Sequence, residues 1–99
     1  MSVRVISIKK LKDFWLKHRD AEQPLKAWFA EAKKAEWRKP SEIVSLYRTA
    51  SILKNNRIVF NIKGNDYRLV TAVNYDFQIV YIRFIGTHKE YDKINAEEV

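Results

Sequence analysis

Residues 58–91, IVFNIKGNDYRLVTAVNYDFQIVYIRFIGTHKEY, crowd β-branched and aromatic side chains around one tight turn. Within 58–63, Ile58, Phe60 and Ile62 alternate with Val59, Asn61 and Lys63, a period of two that an extended strand presents as one apolar face. Gly64-Asn65 tolerates the positive φ angles of a two-residue hairpin loop, and residues 67–74 return as the partner strand. That loop pairs Lys63 with Asp66, Ile62 with Tyr67, Asn61 with Arg68 and Phe60 with Leu69. Phe60, Ile62, Tyr67 and Leu69 then form a core face. Lys63, Asn61 and Arg68 share the other, two cations and an amide disposed for an anionic ligand.

A third strand, residues 79–85, follows a turn at 74–77. A four-residue loop puts Arg83 on the Arg68 face, whereas three or five residues put it on the opposite one. The strand ends at Gly86, and Thr87-His88-Lys89-Glu90 has the form of a capping box, in which a threonine and a glutamate satisfy each other's backbone N–H groups. A short helix therefore starts there. His88 falls in its first turn, where free N–H groups favour a bound anion beside a neutral imidazole. Tyr91, three residues on, shares the face of His88.

The N-terminal half has a different period. Residues 3–7 read as a short first strand that joins the later sheet. Leu11, Phe14, Trp15 and His18 make one helical face within residues 9–18, and Leu25, Trp28, Phe29 and Ala32 repeat the pattern in a second helix that runs to about Ala35. Asp20 is placed to cap that second helix, and Pro24 fits its first turn. Ser41 is placed to cap a short helical turn through Tyr47, and residues 48–56 read as loop. The order is β-α-α-β-β-β-α. This predicts an α+β fold: an antiparallel sheet of about four strands with a helical hairpin packed on it and a short C-terminal helix.

With 99 residues the chain makes one domain with one modest core. It has no cysteine and only two, well-separated histidines, so neither a disulfide framework nor a zinc–thiolate site is expected. No apolar run has the length of a signal-peptide core or a membrane span, which points to the cytoplasm. The net charge of +7 is uneven, with 12 Lys/Arg against 6 Asp/Glu in residues 1–50 and 7 against 6 in residues 51–99. A basic surplus on the helical half suits a polyanionic partner, while the second half carries something more local.

Each candidate has a plainer alternative. His18 lies on an apolar helix face and reads first as a packed histidine. Trp15 and Trp28 hold helical core positions and Trp37 does not, which leaves Trp37 open as a base-stacking residue. The helical lysines are either a solvated face or a polyanion contact. Arg68 is either a cross-strand surface partner or a phosphate clamp.

The runs FNIKGNDYRLV at residues 60–70 and YIRFIGTHKEYDKI at residues 81–94 resemble the HigB family of toxins from bacterial toxin–antitoxin modules, within the RelE-like superfamily. The resemblance extends over nearly the whole chain. It implies a RelE-like domain that cleaves mRNA, often in the ribosomal decoding site, without a cofactor, and that is neutralised by a helix-turn-helix antitoxin of the HigA type. The arginine of the YR motif is Arg68, and the histidine and tyrosine of the terminal motif are His88 and Tyr91. Lys63 and Lys89 transfer as phosphate contacts, and Arg83 joins them from its strand position. Several RelE-like relatives carry arginine where this chain has histidine, so the resemblance does not assign the general acid and base.

RNA brings its own nucleophile, the 2′-hydroxyl, so a protein need only orient it, move its proton and stabilise the phosphorane. Arg68, His88 and Tyr91 are suited to those tasks. Two other classes stand beside this one: a noncatalytic RNA- or ribosome-binding module, and a RelE-like toxin acting on DNA gyrase in the manner of the ParE branch.

Overall fold

The computed structural model describes residues 3–99. Five strands, β1 (Arg4–Ile6), β2 (Ser51–Leu53), β3 (Arg57–Ile62), β4 (Tyr67–Asn74) and β5 (Ile79–Thr87), form one sheet in the order β1-β5-β4-β3-β2. Strands β2 to β5 are antiparallel neighbours, whereas β1 lies parallel to β5, with Arg4 opposite Ile79 and Ile6 opposite Tyr81. The sheet is therefore mixed and one strand larger than the four-stranded antiparallel sheet the sequence suggests. The additional strand, β2, comes from the 48–56 segment read as loop. It has only three residues, too few to display a period, and it folds back on β3 through Asn55 and Asn56, both at positive φ.

Helices α1 (Lys9–Lys17) and α2 (Glu22–Lys34) are joined by a 3₁₀ turn at Arg19–Ala21, and α3 (Pro40–Leu46) follows with Pro40 in its first turn. Leu11 and Phe14 from α1, with Leu25, Trp28 and Ala32 from α2, are buried against Ile58, Phe60, Ile62, Leu69, Val73, Val80 and Ile82 of the sheet. Fully burying one such side chain contributes about 1.5–3 kcal/mol, so this face holds most of the folding energy. Trp37 belongs to it as well. It is 3% exposed and its ring stacks on Phe60 at 6.2 Å, which makes it a core residue rather than a free base-stacking platform.

The hairpin register is as the sequence predicts for Phe60–Leu69, Ile62–Tyr67 and Asn61–Arg68. The turn differs. It spans residues 63–66, and its positive φ angles fall at Lys63 (52°) and Gly64 (64°) rather than at Gly64 and Asn65. This left-handed Lys63 carries its side chain away from the Arg68 face to Asp20 of the 3₁₀ turn, where Nζ meets Oδ2 at 2.7 Å; Asp66 lies 3.4 Å from the same ammonium. Asp20 also accepts from the Tyr67 hydroxyl at 2.5 Å. Its carboxylate is thus engaged by the sheet, and α2 has Ala21 at its N-cap with no side-chain cap. Nor does Ser41 cap α3, whose N-cap residue is Lys39.

The opposite sheet face carries a second, smaller core. Val59, Val70 and Ala96 are buried there, with Leu53, Phe84, Tyr91, Ile94 and Val99 packed around them. The C-terminal tail thus covers part of this face, and Arg57 fastens it by donating from Nε and Nη2 to the Val99 carbonyl at 3.2 and 2.7 Å.

Candidate active site

Three features converge where β4 and β5 meet the last helix. Arg68 stands between Asn61 of β3 and Gly86 of β5. Two residues beyond Gly86 the chain enters α4 (His88–Tyr91). The expected capping box is complete: Thr87 Oγ1 accepts from the Glu90 N–H at 3.2 Å, and Glu90 Oε1 accepts from the Thr87 N–H at 2.8 Å. The Thr87 N–H is the main reason the Glu90 carboxyl titrates below its ordinary range. Gly86 lets the helix pack closely, since a Cβ there would stand 2.5 Å from Phe84 Cζ and 3.0 Å from Glu90 Oε1.

Arg68 is half-buried, and its Nη1 donates to the Asn65 carbonyl at 3.0 Å. Its other guanidinium N–H groups have no partner among the described residues, so several donors of a rigid fork remain for an anion. That turn is anchored in two directions, by Arg68 on Asn65 and by Lys63 and Tyr67 on Asp20. The carboxyl of Asp20 is held below the usual carboxylate range, first by Lys63 and then by Tyr67. In return the Lys63 ammonium is raised, and so is the Tyr67 hydroxyl. Lys63 lies apart from the Arg68 face, where alternation along β3 would put it.

His88 is exposed, and its Nδ1 lies 3.5 Å from Oδ2 of Asp92. The two exposed side chains are neighbours one helical turn apart, with no hydrogen bond between them, and Nε2 has no partner among the described residues. Asp92 was not among the sequence candidates, although its i,i+4 spacing from His88 was a usable signal. Tyr91 is half-buried in the smaller core, which steadies its ring beside β4 and β5. Lys89 is exposed on the same helix.

Arg83 follows the four-residue case. The loop between Asn74 and Ile79 has four residues, and Val70 pairs with Phe84 while Thr71 pairs with Ile82. Arg83 is therefore the extra residue of a bulge, and its guanidinium lies 5.3 Å from the centre of the Tyr81 ring. Tyr81 pairs with Ala72, which alternation places on the Arg68 side of β4. His18 is a packed histidine, stacked on Phe14 at 4.4 Å with Tyr67 at 5.5 Å. Among the described residues no three His, Asp or Glu side chains gather where they could hold a metal ion, and no helix is long and apolar enough to cross a membrane.

A five-stranded mixed sheet with helices packed on one face is consistent with the RelE-like fold, and comparison with known proteins agrees. The family model for the HigB toxin, the RelE-like toxic component of a toxin–antitoxin system, matches residues 21–94. The chain is 32% identical over 96 residues to the mRNA interferase toxin HigB of Escherichia coli K12, covering 95% of this chain and 92% of that protein. The mRNA interferases HigB of Escherichia coli O157:H7 and Shigella flexneri match to the same extent. The chain belongs to the HigB toxin family.

Proposed function

We propose that this toxin is an endoribonuclease that cleaves mRNA during translation on the ribosome, in the cytoplasm, and that a helix-turn-helix antitoxin of the HigA type neutralises it. The observation that carries the reading is the junction of β5 and α4, where a complete capping box fixes His88 and Tyr91 next to the strand pair holding Arg68. The names of the curated relatives support the substrate.

The chemistry follows from the substrate. The 2′-oxygen attacks the adjacent phosphorus and loses its proton, the bond from phosphorus to the 5′-oxygen breaks, and that oxygen gains a proton. The products are a 2′,3′-cyclic phosphate and a 5′-hydroxyl. Arg68 directs its free donors at the nonbridging oxygens, where charge grows toward the phosphorane. His88, with the Asp92 carboxylate one helical turn away, serves proton transfer because imidazole exchanges protons readily at neutral pH. Tyr91 positions the 2′-hydroxyl, and Lys89 and Arg83 contact flanking phosphates. Lys63 is occupied by Asp20 and Asp66 and serves to brace the turn that supports Arg68.

The test is to induce wild-type protein and His88→Ala without antitoxin, at equal soluble levels, and to map new 5′ ends on an abundant message. Growth arrest with defined cuts from the wild type alone is the expected result. Arrest by both proteins without cuts would place the function in binding instead of cleavage.

A further inference from the structure

β1 ends at Ile6, opposite Tyr81, so beyond that point this edge of β5 has no strand partner and α1 runs beside it. Between them lies an open groove of about 390 Å³. Its rim carries the exposed cations Lys10, Lys17 and Arg83, and its walls include the rings of His18 and Phe84. Two carboxylates also reach it, and both are engaged. Asp13 is paired with Lys9 at 2.9 Å, and Glu90 caps α4. The surplus is positive.

We propose that this groove is a second RNA subsite, which takes the mRNA strand leaving the Arg68–His88–Tyr91 cluster. The inference rests on the mRNA-cleaving reading above and extends it to a strand path. Continuity supports the path. Phe84 belongs to the same small core as Tyr91, its ring end reaches over Gly86 toward Glu90, and it also lines the groove. A strand passing over α4 therefore meets Phe84 before α1. Chemistry supports the ligand: three cations along an open trough with aromatic walls are what a single strand requires, phosphates on the cations and base faces on the rings. Lys10, whose Nζ is 3.4 Å from the Arg83 carbonyl, is placed beside the bulge to meet the same phosphate as Arg83.

The test uses a translation extract programmed with a message containing 4-thiouridine, so that long-wave ultraviolet light forms adducts only with mRNA. His88→Ala keeps the message intact, and adducts are mapped by peptide mass spectrometry. Adducts on peptides containing His18 or Phe84 are expected. Lys10→Ala/Lys17→Ala in the same background should lower their yield and make its log–log dependence on salt shallower by about 1.4, or about 0.7 for each phosphate of the single strand that is no longer neutralised. If wild-type protein cleaves the message in this extract but adducts avoid the groove, or the double substitution leaves yield and salt dependence unchanged, the subsite is refuted and the nuclease reading stands. If the wild type cleaves nothing, both readings fall.

Discussion

Replacing Thr87 with valine keeps a β-branched residue at the end of β5 and removes only the oxygen that accepts the Glu90 N–H at 3.2 Å. Loss of an N-cap oxygen costs about 1 kcal/mol. The magnitude can be followed in two places. If α4 unfolds together with the domain, the whole cost appears in global stability, and the melting temperature falls by roughly 4–8 °C for a chain of this size. If α4 opens by itself, the cost falls on the local equilibrium that sets His88 and Tyr91, and about 1 kcal/mol corresponds to about fivefold in cleavage rate. The substitution should therefore move melting temperature, rate or both within these bounds. Rate is read as the appearance of new 5′ ends in a translation extract, and stability as thermal unfolding by circular dichroism. A rate loss above about a hundredfold at unchanged stability exceeds what the cap can supply; it would mean that Thr87 itself touches the reacting atoms. No change in either quantity would mean that the capping box does not hold the site.

Other consequences can be checked separately. Gly86→Ala drives a Cβ to 2.5 Å from Phe84 Cζ, so overpacking of about 1–3 kcal/mol is expected in urea unfolding, with a loss of cleavage that a stability-matched core variant does not share. Leu69→Ala empties a fully buried position in the central strand β4 and should cost about 2–5 kcal/mol in the same assay, regardless of RNA. Asp20, Glu22 and Glu90 all titrate below their ordinary values in the fold. Each therefore adds stability that is fully present above its unfolded value of 3.8 or 4.5 and is lost as pH falls through the lower folded value. Acid unfolding should begin below the unfolded values, and Asp20→Asn should flatten that limb in a pH series of thermal melts.

The parts of this fold that the sequence discloses are those where two independent patterns coincide. Alternation in residues 58–62 and 67–69 together with a turn between them fixes the Asn61–Arg68 register, and the Thr-x-x-Glu spacing at residues 87–90 fixes the start of α4. Where one dihedral decides, the pattern fails. Lys63 changes side because its own φ is positive, and no periodicity encodes that sign. The three-residue β2 leaves too few residues for a period to emerge, and the edge strand at residues 3–7, legible as a strand, does not encode its parallel pairing with β5, which tertiary contact sets. The tail over Val59 and Val70 escaped for a related reason: Ile94, Ala96 and Val99 bury side chains from turns and irregular chain. Within the candidate site, the sequence places Arg68 on β4 and His88 and Tyr91 on α4, and the structure has them at those positions. The brace from Asp20 through Lys63 and Tyr67 to the turn behind Arg68 was not legible, because its partners lie more than forty positions apart.

In the mechanism proposed above, cleavage proceeds through the RNA's own 2′-hydroxyl, with Arg68 and His88 serving the phosphorane and the proton. The most direct measurement is the chemical identity of the cut ends, on an mRNA synthesised with and without a single 2′-deoxynucleotide at a mapped cleavage position. The expected ends are a 5′-hydroxyl facing a 2′,3′-cyclic phosphate or its opened form, with loss of that one cut in the deoxy message. A 5′-phosphate end, or an undiminished cut at the deoxy position, would show that water rather than the 2′-oxygen attacks and would contradict the mechanism.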